Sequence, residues 1–369
     1  MKALKTLAGP DGSIGILSDL SIPNLPSPAH LLIKTATIAL NPTDWKTSRH
    51  LDVQSTVGCD FAGTVFAVGD AVGKSGSSSS RVFKKGDRVC GAVHGCNRLR
   101  GEAGAFGEYV VCKAELVMRV PDDMGFDEAA AVGVSIVTVG QGMYQEMGLP
   151  RPDGKKKEGE KEGEKVPILI YGGSSAVGAV AVQFAKLSGF QVLTTCSPSN
   201  FAYVQSLGAH HTFSSRDPTI GTQIRAFTNN KLYYAFDCLA DFDSPTQCAN
   251  ALASSAPPGQ TLHYGNIVNP EAGIRQDVVN TFNLGYTAPG EDIEIPVSGS
   301  WVKMPAMKDH YEFMREWAPL AERLLAEGKW KPHRVEVRAG GLDGVVGGLR
   351  DLEEGKVSGV KLVYRVGES

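Results

Sequence analysis

The sequence predicts an α/β protein of two domains, one a β-rich, barrel-like domain and the other a doubly wound parallel sheet. Three observations predict it. Short strand patterns crowd the first 120 residues, strands alternate with helices from Val166 onward, and a strand, a glycine-rich turn and a helix run without interruption from Val166 to Lys186. At 369 residues the chain exceeds one average domain, which agrees with a division in two.

In chain order, residues 31–40 alternate apolar and polar well enough for a strand, and residues 63–69, 87–93 and 107–111 are short strands bounded by glycines or charges. Their close spacing suggests a barrel. Residues 73–80, Gly-Lys-Ser-Gly-Ser-Ser-Ser-Ser, read as a flexible surface loop. A helical pattern opens at Asp127, continues through Ala129, Val132, Ile136 and Val139, and ends near 148–150. Residues 151–165 are low in complexity and mixed in charge, which predicts a solvated, mobile insert. From 166 the elements alternate: strand 168–171, strand 191–196, helix 201–207, then strand patterns at 233–239 and 260–264. A later helix carries Phe313, Trp317, Leu320 and Leu324 on one stripe and ends at Gly328; residues 345–366 add a short helix and a strand at 360–364. The expected divisions are 1–125, 126–290 with the insert inside it, and 291–369.

Composition narrows the function. With 42% hydrophobic and 21% charged residues and a net charge of −3, the chain is no broad electrostatic binder of nucleic acid. No apolar run approaches the roughly 18 residues of a membrane helix, and the N-terminal residues lack a continuous apolar stretch of the secretory type, so a cytoplasmic protein is expected. Seven cysteines without a compact pattern fit reduced thiols. Neither they nor the eight scattered histidines form a recognisable metal motif, and no metal is expected.

The turn between strand and helix carries the most chemistry. Gly172 and Gly173 permit a sharp bend, Gly178 allows the helix to approach its strand, and free N–H groups at the helix start can receive a diphosphate. The fingerprint G-x-G-x-x-G is imperfect, because Ser175 stands at the middle glycine of Gly173-Ser174-Ser175-Ala176-Val177-Gly178. An ordinary tight turn is the alternative. From Lys165 to Arg216 there is no Asp or Glu, in a chain that has 40 of them, so the local potential favours phosphate. At the end of the next strand an NAD-specific fold places an acid on the ribose, and here the residues are Cys196-Ser197-Pro198-Ser199-Asn200. Neutral donors tolerate a 2′-phosphate that a carboxylate would repel, so NADPH is expected as cofactor. No Arg or Lys adjoins Ser197 in sequence, and the same four residues would also begin a plain turn.

The blocks Asn41-Pro42-Thr43-Asp44-Trp45-Lys46, Gly58-Cys59-Asp60-Phe61-Ala62-Gly63, Gly86-Asp87-Arg88-Val89, Gly104-Ala105-Phe106-Gly107-Glu108-Tyr109 and the 355–363 segment occur in one order along nearly the whole chain. In this the sequence resembles the zinc-independent medium-chain dehydrogenase/reductases. The resemblance implies a GroES-like catalytic domain made from both chain ends, with a Rossmann domain between them. Zinc-dependent members carry Gly-His-Glu where this chain has Gly58-Cys59-Asp60, and a cysteine where it has Asn41. Without such a Lewis acid, hydride delivery to an activated alkene is the better reading than alcohol oxidation.

Within that class, Leu169 to Ala176, Thr195 to Phe201, Tyr234 to Cys238 and the polar insert resemble the fungal trans-acting enoyl reductases that work beside polyketide synthases. The resemblance implies that NADPH delivers hydride to the β-carbon of an α,β-unsaturated thioester on the synthase's acyl carrier protein. By the same resemblance Thr43, Asp44, Trp45 and Lys46 line the nicotinamide, and Ser174, Ser175, Ala176 and Val177 hold the diphosphate. Ser197, Pro198, Ser199 and Asn200 take the 2′-phosphate, and Ser215, where the family has a tyrosine, lies near the adenosine. Gly265 and Asn266 flank the nicotinamide, while Val357 and Ser358 close over it. Lys46 is the candidate catalytic residue, as a cationic donor to the enolate or a phosphate anchor, with a surface lysine as the alternative. Thr138, Gly142, Met143, Tyr286, Thr287, Ala288, Pro289 and Gly290 are candidate substrate-pocket residues, for which plain packing is the alternative. An NADPH quinone or 2-alkenal reductase acting on free molecules, or a non-catalytic nucleotide-binding protein, would share the same motifs. A monomer is expected, because residues 286–296, which should lie at the edge of the parallel sheet, carry two prolines and three acids that would blunt it.

Overall fold

The computed structural model describes residues 1–7, 13–74, 81–153, 165–240, 243–268, 275–297 and 299–367. Two compact units form, one from 1–137, 286–327 and 332–369, the other from 138–285 and 328–331. The sequence suggests divisions after 125 and 290; the units divide after 137 and 285. Most of the polar insert and of the serine-rich loop, residues 154–164 and 75–80, lies outside the described residues.

The second unit is a six-stranded, wholly parallel sheet. Its spatial order is His211–Ser214, Gln191–Cys196, Pro167–Tyr171, Tyr234–Asp237, Leu262–Asn266 and Val278–Phe282, which in chain order is 3-2-1-4-5-6. That is the doubly wound order whose strand sequence reverses beside the first strand, the place where such sheets bind nucleotides. Leu169, Leu193, Ala235, Leu262 and Tyr264 pack one face of it with Ile220, Ile224 and Cys248. The helix Ala176–Leu187 is buried from Gly178 to Ala185, as expected for a helix covered on both sides.

In the first unit the ten-residue strand His30–Ala39 is the spine of a seven-stranded sheet. Its N-terminal half pairs with Tyr109–Lys113 and its C-terminal half with Lys361–Arg365, while Asp60–Val68 runs along the other side. Register shifts at Leu32/Ile33 and Thr35/Thr37 bend it, which lets one strand serve different neighbours at its two ends. Ile38, Phe61, Phe106, Leu362 and Tyr364 share one core, so both ends of the chain build a single unit.

A buried polar lock fastens those ends. The Lys361 ammonium donates to Asp60 Oδ2 at 2.5 Å and to Asn41 Oδ1 at 2.7 Å, and Asn41 Nδ2 donates to Asp60 Oδ2 at 3.0 Å. Asp60 Oδ1 accepts the Val134 backbone N–H at 2.6 Å. This last bond explains a departure from the continuous helical pattern expected after Asp127. The chain forms Phe126–Ala129, breaks, restarts as Gly133–Val139 with Asp60 at its start, and continues as a π-helical turn over Gly140–Glu146. A Cβ on Gly133 would lie 2.3 Å from Gly91 O, so only glycine allows this approach.

The proposed blunting of a sheet edge does not hold. Residues 286–296 belong to the first unit, where Gly285–Thr287 makes a short turn and Ile293–Val297 pairs antiparallel with Ser300–Met304. The parallel sheet ends instead at Val278–Phe282, which contains no proline and no acid and leaves Val279 exposed. The expectation of a monomer therefore loses its premise.

Lys361→Met leaves the Asp60 carboxylate buried without its counter-charge. It is expected to destabilise the first unit by about 3–5 kcal/mol, read as a lower urea midpoint; an unchanged midpoint would show that the lock is dispensable.

Candidate functional site

The glycine-rich turn of the second unit is held by the strand beside it. The Gly172 N–H donates to Thr195 Oγ1 at 3.0 Å, the Gly173 N–H to Thr195 O at 2.9 Å, and Thr194 Oγ1 to Ile170 O at 2.7 Å. Gly172 sits at φ +81°, and a Cβ on Gly178 would lie 2.2 Å from Gly172 O. Ser175, the residue that departs from the fingerprint, is the helix N-cap, and its hydroxyl accepts the Gly178 N–H at 3.0 Å. The other N–H groups of that first turn have no intrahelical partner. Ser174 to Val177 are partly exposed between buried neighbours. A turn this close to a helix start, rimmed by N–H donors and hydroxyls and free of acids, fits a diphosphate.

At the end of the adjacent strand Ser197 is partly exposed, and Pro198 and Ser199 are exposed. Asn200 is turned inward, only 6% exposed, so it is the least accessible of the four. The parallel pairing of Ser214 with Cys196 and a bond from the Ser215 N–H to Cys196 O at 3.0 Å set Ser215 beside this segment. Arg216 follows it and is exposed. The sequence alone does not point to this cation, because it is 19 residues from Ser197 and only the pairing of His211–Ser214 with Gln191–Cys196 brings the end of its strand next to the end of the other.

Other candidates of this unit are structural in their contacts. The Asn266 amide donates to Asn280 Oδ1 at 2.9 Å and Thr281 O at 3.0 Å. A Cβ on Gly265 would lie 2.4 Å from Met147 Sδ, and one on Gly142 would lie 2.6 Å from the Phe236 ring. Met143 is wholly buried and Thr138 nearly so. Packing accounts for Gly142 and Met143 as pocket candidates.

In the first unit the helix Pro42–Ser48 carries the remaining candidates. Asn41 caps it and Asp44 closes a capping box, accepting the Asn41 N–H at 2.7 Å. Asp44 is 2% exposed, and burial above all, with Asp60 adding repulsion, raises its carboxyl to about 7. Thr43 Oγ1 lies 2.5 Å from the Tyr286 hydroxyl and 3.4 Å from Thr47 Oγ1. The Tyr286 ring stacks on His94 at 4.0 Å, and burial pushes its phenol well above the usual range, so it stays protonated and able to donate. Lys46 shares the Thr43 face of the helix at i+3, is exposed, and holds its ammonium 5.6 Å from the Trp45 ring. Thr287 and Ala288 are buried, Pro289 O accepts from Lys113 Nζ at 2.6 Å, and Gly290 takes a positive φ against Tyr311. Val357 packs on the core and Ser358 is exposed. The Thr43 and Tyr286 hydroxyls meet here, and Lys46 follows Thr43 by about one helical turn; hydroxyl and ammonium donors are the kind of group that stabilises an oxyanion. Sequence reading had Tyr286 as a pocket candidate, and its bond to Thr43 was not visible there. Among the described residues no three His, Cys, Asp or Glu gather as a metal site, and no helix is long and apolar enough to cross a membrane.

A parallel nucleotide-type sheet in one unit and a GroES-like unit built from both chain ends define a medium-chain dehydrogenase/reductase. Family models agree: an alcohol dehydrogenase GroES-like domain matches residues 27–122 and a zinc-binding dehydrogenase model matches 176–312. A solved alcohol dehydrogenase superfamily protein from Novosphingobium aromaticivorans shares the fold, with a TM-score of 0.72 at 19% identity over 99% of each chain. More narrowly, the chain is 39% identical to the trans-enoyl reductase resD of Aspergillus sclerotiorum, covering 96% of this chain and 98% of that one. It is 38% identical to the trans-enoyl reductase ACTTS2 of Alternaria alternata, over 94% and 96% of the two chains. The chain belongs to this family of fungal trans-enoyl reductases.

Asp44 imposes a sign on the pH dependence of stability. The unfolded chain ionises it near 3.8 whereas the folded chain keeps the proton to about 7, so between those values the folded state binds the extra proton. The stability this group contributes is greatest at low pH and falls as pH rises through that window. Asp44→Asn is expected to abolish the fall, so its urea midpoint gains on the wild type between about pH 4 and about pH 8; a gap that does not change with pH contradicts this.

Proposed function

We propose that the protein is a trans-acting enoyl reductase. It transfers hydride from NADPH to the β-carbon of an α,β-unsaturated polyketide thioester carried by the acyl carrier protein of a partner synthase. The observation that carries this reading is the 39% identity, across 96% of the chain, to a protein named a trans-enoyl reductase.

The chemistry follows from the residues. Bound NADPH would supply the hydride. The first turn of the helix Ala176–Leu187, with Ser174 and Ser175, binds the diphosphate. Ser197, Ser199 and Arg216 receive the 2′-phosphate, the guanidinium supplying the positive charge that neutral donors lack. The Thr43 and Tyr286 hydroxyls and the Lys46 ammonium donate to the thioester oxygen as negative charge develops on it, which lowers the barrier to hydride addition at the β-carbon. Asp44 acts through position, holding the start of that helix by its capping box.

Turnover of NADPH with an enoyl thioester on a carrier protein, followed by absorbance, tests the activity. Reduction of the carrier-bound thioester in preference to quinones and free 2-alkenals is expected, and the reverse preference would replace this reading with a small-molecule reductase. Lys46→Ala is expected to lower kcat about a hundredfold, and unchanged turnover removes Lys46 from the mechanism. Arg216→Gln is expected to raise KM for NADPH about tenfold while leaving KM for NADH unchanged; equal effects on both would place Arg216 away from the 2′-phosphate.

A further inference from the structure

Within the first unit a cavity of about 30 Å³ has His30, His94, Asn97, Arg100, Lys113 and Glu291 in its lining, set among apolar residues such as Val93, Val111 and Leu116. His94 is one of its deeply placed polar groups, at 6% exposure. The proton on its ring can be assigned. Asn97 Oδ1 accepts the backbone N–H groups of Leu99 and Arg100 at 2.9 and 3.0 Å, so the amide nitrogen is the end that faces His94, and it donates to Nδ1 at 3.3 Å. The ring proton therefore sits on Nε2, a buried donor without a partner. Burial, with Arg100 adding repulsion, lowers the ring to about 3 and keeps it neutral. Arg100 Nε is a second buried donor without a partner.

A water could satisfy two unmet donors, but it could not answer the charge. Arg100 and Lys113 bring two cations to the lining, and Glu291, 2.8 and 3.2 Å from them, is the one carboxylate among the lining residues. His30 lies 4.0 Å from Glu291, and burial lowers its pKa, so it adds no negative charge and at neutral pH no positive one. One positive charge is left over, in a partly desolvated recess where it is poorly screened. The volume exceeds the roughly 10–15 Å³ that one water needs, which leaves room for a small ion.

We propose that this cavity binds a small monovalent anion, a halide or a carboxylate of formate size, between the Nε–H groups of His94 and Arg100 and beside the Lys113 ammonium. Lys113 also donates to Pro289 O, and His94 stacks on Tyr286, so the bound anion braces the 286–290 segment from behind. The site does not rest on the proposed reaction.

Bromide is the probe. Crystals of the full chain grown in sodium bromide and measured at the bromine edge are expected to show an anomalous peak within contact of His94 and Arg100. Thermal unfolding is expected to rise in sodium bromide over sodium gluconate at equal ionic strength. Arg100→Gln is expected to lose both effects. His94→Phe, which keeps the stack on Tyr286 and removes the donor, is expected to raise the half-saturating bromide concentration at least about tenfold. A cavity that holds water with no anomalous peak, a melting point indifferent to the anion, or variants that bind bromide as the wild type does would each overturn the proposal.

Discussion

The ion pair between Lys361 and Asp60 is the constraint on which the first unit depends. Both side chains are almost wholly out of water, at 2% and 0% exposure, so each is costly to bury alone. Together they are tolerable because both oxygens of Asp60 are hydrogen-bonded: the ammonium, the Asn41 amide and the Val134 N–H all donate to it. One carboxylate thereby joins the last strand of the chain, the cap of the helix Pro42–Ser48 and the start of the helix Gly133–Val139. Thr43 and Lys46 inherit their positions from that cap. In zinc-dependent members of the superfamily the residues matching Asn41, Cys59 and Asp60 are Cys, His and Glu; here a lysine ammonium supplies the positive charge between two of those positions.

Charge is handled in opposite ways in the two units. Around the nucleotide turn the second unit has no carboxylate from Lys165 to Arg216, so the helix start faces an anion without competition. The first unit instead pairs its charges densely, with Arg98 on Asp52 and Glu294, Arg315 on Glu115, and Arg81 and Arg119 on Glu322. Many of these pairs join segments far apart in sequence, and several are less than a third exposed, where screening by solvent is weakest. Against that balanced background the surplus cation at Arg100 and Lys113 stands out.

How much was legible in the chain depends on how local the cause was. The strand, turn and helix at 166–187 could be read because glycine at positive φ and apolar periodicity are properties of neighbouring residues. The same holds for the strands at 31–40 and 87–93 and the helix ending at Gly328. The break before Gly133 was not legible, since it comes from an Asp60 side chain reaching across from another strand. The close approach of the Phe236 ring to Gly142 was not legible either, since Phe236 comes from a distant strand. The edge of the parallel sheet was misplaced because prolines and acids mark an edge only when the segment is in the sheet at all.

From the residue string alone came the class of protein, the nucleotide turn, the preference for a phosphate-friendly surface and the family, because each rests on composition or on motifs of contiguous residues. The folded chain was needed for everything that joins distant residues: Lys361 to Asp60, Thr43 to Tyr286, and Ser215 to Cys196. It was needed also for protonation, since burial raises the Asp44 carboxyl and keeps the His94 ring neutral, and burial is created only when the chain closes on itself.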